Sequence, residues 1–521
     1  MKQTQSTDLF MMTLSEIKQS HRLTYQYFSE CQHGERWLQR IVELDQYWEQ
    51  IGKRSTTQVV FSSDALPKNV RINGHFDLIY AGSTLGTIHA AAMAAIYKKS
   101  VLLFDKHTPA KTHRDWNISK QELLALAQIG LLTEKEIESA ITKKYQTGFV
   151  EFASTEPPTR LYLEHVLDCA IDSDTILRHC LEKMEGEKNL VLGKTTFNRC
   201  FQCDDGIVVE VTSDDGRLEY YKAKVMMDAM GILSPIALEL NNGKPQTHIC
   251  PTVGTVASGL LDVDYDIGEI LVSTEPEEYT ATGARQLIWE GFPASNTEMI
   301  TYLFFYDRID SNNDKSLLNL FETYFQKLPT YKRPGADFKL HKPVFGIIPA
   351  YHHNGMGKTR ETAADRILLL GDAATLSSPL TFCGFGSMVR NLARTTKQLN
   401  TLLDEGRCTK SDLERVSAYE ENVAIMSNLM KFMCFEKDSD PPNFVNDLMN
   451  VIMKVLKDLP PRYGVSLFRD EMALSDFNTL ILTVAKKYPK IFEITFRKLG
   501  VSGSLSWIQN WLGWLTAPKE K

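Results

Sequence analysis

The segment 76–106 constrains the fold more than any other part of the chain. It starts with the apolar run FDLIYAG, continues with the alanine-rich stretch TLGTIHAAAMAAIYK and ends with a second apolar run, SVLLFDK. The apolar runs are typical of buried strands, and the alanine-rich stretch favours a helix. Two such strands joined through a helix pair in parallel, inside a sheet with helices on its faces. The sequence therefore predicts an α/β fold.

Glycines stand where the first strand of this unit meets its helix. Gly82 and Gly86 flank the turn, Thr84 lies near the position of a middle glycine, and Asp105 ends the second strand. Glycine lets a diphosphate approach the backbone, N–H groups at the helix start bind it, and an acidic side chain after the second strand accepts hydrogen bonds from an adenosine ribose. These residues predict a dinucleotide site. Because the spacing is GxxxG and not GxGxxG, glycines that serve packing alone are the alternative.

A second signal lies far along the chain and indicates FAD rather than NAD. Gly371 and Asp372 follow the apolar strand RILLL, and Gly384 and Gly386 come shortly afterwards. In two-part FAD sites a late Gly-Asp turn accepts hydrogen bonds from the cofactor, and nearby glycines let the backbone pass close to the flavin ring. Asp228, which follows the strand KVMM, is a third candidate for a cofactor contact. The alternative for such aspartates is a turn that caps a helix.

The order of elements predicts a two-part Rossmann fold with extensions at both ends. Alternating apolar and polar residues, broken twice by DDG, indicate antiparallel strands, and further strand-like runs such as ITYLFFYD follow. The predicted regions are a helical extension (1–70), the first part of the FAD-binding domain (71–250), a substrate domain of mostly antiparallel strands (251–345), the second part of the FAD-binding domain (346–405) and a helical C-terminal region (406–521).

Charge and cysteine content narrow the class of protein. The net charge of −7 disfavours a nucleic-acid binder, because such proteins neutralise phosphates with basic residues. The nine cysteines are scattered, and the CxxC pair of Cys200 and Cys203 has no second pair to complete a zinc site. We therefore expect no metal centre, no nucleic-acid partner and a reducing, intracellular setting, most simply the cytoplasm. Nothing in the sequence indicates an oligomeric state.

The C-terminal stretch LSWIQNWLGWLTAPKEK carries three tryptophans, Trp507, Trp511 and Trp514, at helical spacing. No apolar run approaches the ~18 residues that a spanning helix needs, so any membrane contact is expected to be peripheral. Tryptophans on a helix with lysines nearby are typical of a bilayer interface. The alternative is a terminal helix that docks on the protein through its tryptophans.

Several segments together resemble the Cru-type lycopene cyclases of cyanobacteria, green sulfur bacteria and plastids, and their paralogues. They are FDLIYAGSTLG, HRDWNISKQELLAL, MDAMGILSPIA, VGTVASG, LIWEGFPAS, ITYLFFYD, FGIIPAY and GDAATLSSPLTFCGFGSMVRNL. The resemblance implies a glutathione-reductase-like FAD-binding fold, a reduced flavin with NAD(P)H as a candidate electron donor, and a carotenoid substrate. It implies a redox-neutral cyclisation, in which a terminal alkene is protonated, the neighbouring double bond attacks the cation, and a proton is lost.

Such chemistry needs an acid in an apolar cavity. Glu290 in WEGFPA is the candidate, because a carboxyl among apolar groups keeps its proton; a strand-end salt bridge is the alternative. Arg114 in HRDWNIS occupies a position where related flavoproteins contact the FAD diphosphate or adenosine, with a surface ion pair as the alternative. Nearby aromatic rings could stabilise a cation or form plain core: Trp289, Phe292, Phe304, Phe305 and Tyr306.

Two other functions stay open. SPLTFCGFG resembles the segment that geranylgeranyl-reductase-like proteins bring against flavin, so a reductase, dehydrogenase or monooxygenase acting on an isoprenoid or another apolar molecule is the main alternative. The second is an FAD-binding paralogue without enzymatic activity. A halogenase is disfavoured, because the chain has no WxWxIP segment.

Overall fold

Two large β-sheets form the centre of the structure, a computed structural model that describes residues 12–49, 57–154, 157–275, 285–350, 360–380 and 384–516. A third sheet has three short strands, in the order β4-β8-β5. In chain order the strands are β1 (Val60–Ser62), β2 (Gly74–Ala81), β3 (Val101–Phe104), β4 (Trp116–Ile118), β5 (Ile141–Lys144), β6 (Thr147–Glu151), β7 (Leu161–Glu164), β8 (Cys169–Ile171), β9 (Leu190–Leu192), β10 (Thr196–Cys203), β11 (Gly206–Thr212), β12 (Leu218–Asp228), β13 (His248–Leu260), β14 (Ile267–Ser273), β15 (Ile288–Pro293), β16 (Glu298–Phe304), β17 (Asp307–Arg308), β18 (Pro334–Pro349), β19 (Ala363–Ala364) and β20 (Ile367–Leu369).

Helices cover the sheets on both sides. They are α1 (Leu14–Ser20), α2 (Arg22–Ser29), α3 (Gly34–Glu49), α4 (Leu85–Ala95), α5 (Lys120–Leu123), α6 (Ala125–Gln128), α7 (Glu134–Ala140), α8 (Ser173–Glu182), α9 (Pro235–Leu240), α10 (Leu317–Tyr331), α11 (Gly384–Glu405), α12 (Lys410–Leu413), α13 (Glu421–Met433), α14 (Phe444–Asp458), α15 (Arg462–Phe468), α16 (Leu474–Lys487) and α17 (Ile491–Thr516). None of the helices in these described ranges is long and apolar enough to cross a bilayer.

The first sheet contains the predicted βαβ unit. Its strands follow the order β1-β10-β11-β12-β2-β3-β9, and β20 pairs with the end of β12. Strands β2, β3, β9, β12 and β20 run parallel, and α4 connects β2 to β3. The register aligns Ala81 with Phe104 on one side and with Asp228 on the other, and Asp228 with Leu369. Four neighbouring strands therefore end at one edge, and the α/β prediction is confirmed.

The second sheet is the predicted antiparallel sheet. Its order is β17-β13-β16-β15-β14-β6-β7, and β18 pairs with β13 along most of its length. Its pairings are antiparallel except that of β14 with β6. Strands β6 and β7 lie within the segment 71–250, so the chain enters this sheet before residue 251, where the sequence placed the start of the substrate domain.

Side chains of the second sheet alternate between two covered faces. On one face Trp289 and Phe305 pack with α10 and with helices of the N-terminal extension. On the other face Ile288, Phe292 and Phe304 pack with the helices that follow residue 420. The extensions at the two ends of the chain therefore lie on opposite sides of one sheet.

The last helix, α17, bends at Gly500, whose φ is 64°. Just before the bend, Lys498 forms a buried ion pair with Asp440 at 2.5 Å, and Arg497 contacts the same carboxylate at 2.7 Å. Because buried charges are stable only when paired, this cluster holds the first arm of α17 in place.

The second arm of α17 docks through its tryptophans. Trp511 Nε1 donates a hydrogen bond to Asn478 Oδ1 of α16 at 2.9 Å. The rings of Trp507 and Trp514 lie 6.2 and 5.6 Å from that of Phe477, also in α16. The structure therefore shows the docked arrangement that the sequence left as the alternative, with the three tryptophans half-buried.

Candidate functional site

The turn after β2 is shaped by two glycines. Gly82 has a φ of 101°, and a Cβ atom there would overlap the carbonyl oxygen of Ala229, which follows β12. A Cβ atom on Gly86 would lie 2.9 Å from the Ala229 side chain. Close packing of α4 on the neighbouring strand thus requires both glycines. Thr84, at the N-cap of α4, makes no side-chain hydrogen bond to the first turn, so the turn keeps N–H donors for an anion.

Asp105 lies directly beside this turn. Its Oδ2 accepts hydrogen bonds from the Ser83 N–H and hydroxyl at 2.9 and 2.8 Å, and its Oδ1 accepts one from the His107 N–H at 2.8 Å. The Asp105 carboxylate therefore stabilises the loop that follows β2. The sequence predicted only a contact with a ribose for this residue. Oδ2 thus accepts two hydrogen bonds, but Oδ1 has a second lone pair and can also accept a hydrogen bond from a ligand hydroxyl.

Arg114 and Asp372 meet between the two sheets. The Arg114 Nη1 atom lies 3.8 Å from Asp372 Oδ2. The Arg114 guanidinium packs on β18 at Gly346, where a Cβ atom would lie only 2.5 Å from Nη2. Burial raises the pKa of Asp372, and Arg114 opposes that shift. The neighbouring His113 is held against β18 by a 2.9 Å contact between its Nε2 atom and the Phe345 carbonyl oxygen. The HRDWNIS segment therefore connects the Gly-Asp turn to the second sheet.

The late glycines lie on the same side of the first sheet. A cavity of about 40 Å³ is lined by Leu85 at the start of α4, by Gly371 and Asp372, and by Gly384 at the start of α11. A Cβ atom on Gly384 would meet nothing within 4 Å, so this glycine faces open space. Gly386, also in the first turn of α11, is buried. Both halves of the predicted site therefore come together.

Asp228 takes a structural position. It is fully buried, its Oδ1 accepts a hydrogen bond from the Met230 N–H at 3.0 Å, and its Oδ2 accepts one from the Ser234 hydroxyl. Burial raises its pKa to about 6. Because its oxygens serve the turn that packs on Gly82, we expect its effect on a cofactor to be indirect.

Arg40 of the N-terminal helix α3 lies near the site, and sequence reasoning missed it. The Trp37 ring of α3 lies 5.9 Å from the His113 ring, which places this helix against the HRDWNIS segment. Burial lowers the pKa of Arg40; among its charged neighbours, Glu43 of the same helix and Asp105 raise it, and Arg36 and Arg114 lower it. Arg40 has no hydrogen-bond or ion-pair partner among the described residues. The helical pattern of α3 could not show where it docks.

Glu290 is buried in the centre of β15. Its side chain is 5% exposed, and no described residue gives its carboxyl a hydrogen bond or an ion pair. Burial raises its pKa well above the ordinary value, so the protonated form is favoured. The strand-end salt bridge that the sequence left open is therefore absent from the part of the chain that the structure describes.

Strand alternation separates the candidate aromatic residues. Phe292, Phe304 and Tyr306 lie on the Glu290 face of the sheet. Trp289 stacks on the Tyr331 ring at 4.5 Å on the opposite face, where Phe305 also lies. Trp289 and Phe305 are therefore core residues and cannot contact a cation formed beside Glu290.

Tyrosines that the sequence did not single out surround the acid. Glu290 is paired across the strands with Tyr302, and Tyr145 stacks on Phe292 at 6.0 Å. Tyr302 donates a hydrogen bond of 3.4 Å to the Asp115 carbonyl oxygen, and Tyr306 donates one of 3.1 Å to the Pro379 carbonyl oxygen. The walls around Glu290 thus reach both the HRDWNIS segment and the loop after the Gly-Asp turn.

The remaining wall is supplied by the C-terminal helices. Three methionines of α13, Met426, Met430 and Met433, pack in the same apolar cluster as Phe292 and Phe304. Methionine adapts its shape readily, which suits a wall against a long, irregular apolar molecule. This region, bounded by β15, β16, α13 and the loop at Pro379, is filled by packed side chains, and we call it the acid chamber.

No protein-family model and no curated protein matches the sequence, whereas many solved structures match the fold. A geranylgeranyl bacteriochlorophyll reductase-like protein from Thermoplasma acidophilum is 13% identical, with a TM-score of 0.59 over 82% of this chain and 98% of that one. The fold is a flavoprotein fold. The halogenase PltM, solved with phloroglucinol and FAD, is 13% identical, with a TM-score of 0.54 over 84% of this chain and 96% of its own. A flavoprotein/dehydrogenase from Cytophaga hutchinsonii is 11% identical, with a TM-score of 0.54 over 80% and 99%.

Proposed function

We propose that the chain binds FAD at the edge of the first sheet. The uncapped start of α4, Arg114 and Arg40 would hold the diphosphate, and Asp105 and Asp372 would accept hydrogen bonds from the ribose and ribityl hydroxyls. Gly384, at the start of α11, faces open space beside which the flavin ring would lie. When bound, the flavin supplies a redox-active ring system beside the acid chamber. Reconstitution of purified protein with FAD should give a flavin absorption spectrum, and failure to bind FAD would refute this site.

We propose further that the enzyme cyclises the end group of a linear carotenoid. The observation that carries this proposal is Glu290, a buried carboxyl without a partner, in a chamber of aromatic and methionine side chains. Glu290 donates its proton to the terminal alkene and becomes a carboxylate. The neighbouring double bond attacks the resulting cation and closes the ring. An adjacent carbon then loses a proton to the Glu290 carboxylate, which restores both the neutral product and the protonated acid. The product is an isomer of the substrate, and no net oxidation occurs.

The residues around Glu290 perform the remaining tasks. Exclusion of water prevents capture of the cation, and burial of the carboxyl keeps its proton available at neutral pH. The ring faces of Phe292, Phe304 and Tyr306 stabilise positive charge in the chamber.

The alternative is an FAD-dependent oxidoreductase that reduces or oxidises an isoprenoid or another apolar molecule. The contact between Tyr306 and Pro379 favours it, because hydride transfer requires the substrate to lie next to the flavin, and this contact brings the acid chamber beside the loop after the Gly-Asp turn. The fold likeness to the reductase-like protein is compatible with both reactions.

Expression in a lycopene-accumulating bacterium separates the two proposals. The cyclase should give a ring-containing pigment with the mass of its substrate, whereas an oxidoreductase should change the mass and consume NAD(P)H. Glu290→Gln should abolish cyclisation and retain flavin. The matched control is Glu298→Gln, which alters a carboxyl on the neighbouring strand β16 that lies outside the chamber. Full cyclisation by the Glu290→Gln protein would remove Glu290 from its role.

A further inference from the structure

The C-terminal helices carry an unusual share of exposed apolar surface. Of the thirteen large apolar side chains that are exposed in the described part of the chain, eight lie between residues 482 and 515. They are Leu482, Phe492, Phe496, Val501, Leu505, Ile508, Leu512 and Leu515. Single exposed apolar residues are ordinary, but a contiguous group of this kind marks an interaction surface.

The second arm of α17 presents its aliphatic residues as a single stripe. Val501, Leu505, Ile508, Leu512 and Leu515 recur at intervals of three and four residues, so they share one face of the helix. They are 63%, 41%, 47%, 49% and 57% exposed. The opposite face carries the buried Ser506 and Asn510, and the tryptophans that dock on α16 lie between the two faces. The stripe is therefore fixed in an outward orientation by the packing behind it.

Charge indicates what covers this stripe. Residues 482–516 contain five basic residues and one acidic residue, whereas the whole chain has a net charge of −7. Lys486 and Lys490 are exposed beside the apolar side chains. Lys487 and Arg497 are also exposed, but they are paired with Asp458 and Asp440. A second copy of the chain would bring the same positive charge to the same face and be repelled. Lipid headgroups of negative charge would attract these residues, while the aliphatic side chains enter the boundary of the acyl chains.

We propose that the exposed face of α16 and α17 docks this protein on an anionic lipid bilayer. Phe477, Trp507 and Trp514 pack in the same large apolar cluster as Phe292 and Phe304, and α17 packs on α13, which walls the acid chamber. A substrate dissolved in lipid would therefore reach Glu290 through the helices that follow residue 420. This route rests on the proposed function, whereas the docking itself does not.

Co-sedimentation of the full-length protein with vesicles tests the proposal. Vesicles of phosphatidylcholine with phosphatidylglycerol should bind the protein, and pure phosphatidylcholine vesicles should bind it less. The double substitution Ile508→Glu and Leu512→Glu should weaken binding roughly tenfold or more, because interfacial affinity scales with buried apolar area. The double substitution Lys486→Glu and Lys490→Glu should weaken binding to the anionic vesicles only.

Leu218→Glu is the matched control, because Leu218 is 56% exposed but lies on β12, away from this face. It should leave vesicle binding unchanged. Flavin content and the melting temperature report whether each variant is folded, and pigment analysis tests the enzymatic proposal separately. Equal binding by the Ile508 and Leu512 variant overturns the proposal. The proposal would also be overturned if the wild-type protein did not bind vesicles and the Ile508 and Leu512 variant had a smaller mass in solution than the wild type. That result would make the face a contact between copies of the chain.

Discussion

The protonation state of Glu290 can be measured through protein stability. The folded-state pKa of this carboxyl lies well above the ordinary value of 4.5 because it is buried, so the folded protein holds a proton that the unfolded chain releases. Stability from this source is fully present below pH 4.5 and is lost as the pH rises towards the raised pKa. The loss amounts to about 1.4 kcal/mol for each pH unit within that window.

Glu290→Gln removes this titration, while Tyr145, Tyr302 and Tyr306 around it have pKa values raised well above 10 by burial and stay protonated in the range measured. The variant should therefore gain stability relative to wild type as the pH rises, by about 2.7 kcal/mol over two pH units that lie inside the window. Denaturant unfolding of both proteins across mildly acidic to mildly alkaline pH measures the difference, and comparison between pH values cancels any cost of the amide itself. Infrared absorption of a protonated carboxyl, lost in the variant, is a second readout. A stability difference that stays constant with pH would mean that Glu290 is ionised when folded and cannot start the reaction.

Three further results are expected. Arg40→Ala should raise the dissociation constant for FAD about tenfold, because a charge-assisted contact to the diphosphate is lost, and should leave riboflavin binding unchanged. Arg22→Ala, on the exposed side of α2, is the control, and an unchanged FAD affinity of the Arg40→Ala protein would place Arg40 outside the site. Phe304→Leu should slow cyclisation, whereas Phe305→Leu should cost only stability, because the two buried rings face opposite sides of the sheet; equal effects on rate would contradict the assignment of faces. Gly82→Ala should destabilise the protein by about 1–3 kcal/mol and lower flavin content, since its φ of 101° and the contact with a carbonyl oxygen leave no room for a methyl group; an unchanged melting temperature would refute this.

The parallel core could be predicted because its signal is local. Apolar strands around an alanine-rich helix determine a βαβ unit whatever surrounds them, and strand ends in a parallel sheet share an edge. Gly82, Asp105 and Asp372 therefore come together although Asp372 is distant in sequence. The prediction for Asp372 used the same rule, because β20, the strand that precedes it, pairs with β12 although it comes far later in the chain.

What could not be predicted depends on which surfaces meet. Alternation along β15 shows that Trp289 and Glu290 point in opposite directions, but not which face receives α10 and which receives α13. The amphipathic pattern of α3 shows an apolar stripe, but not that Arg40 comes to lie near Arg114. The tryptophans of α17 are equally suited to lipid and to protein, and only the position of Phe477 decides between them.

The placement of the two extensions on opposite sides of one sheet has a consequence for biogenesis. A ribosome delivers β15 and its neighbours well before α13 to α17, so the face that carries Glu290 emerges into water. While it is hydrated, the carboxyl ionises and cannot protonate an alkene. If Glu290 is the acid of the proposed reaction, it becomes a proton donor only at this last step of maturation, and a nascent polypeptide that already held FAD would still be inert towards a polyene.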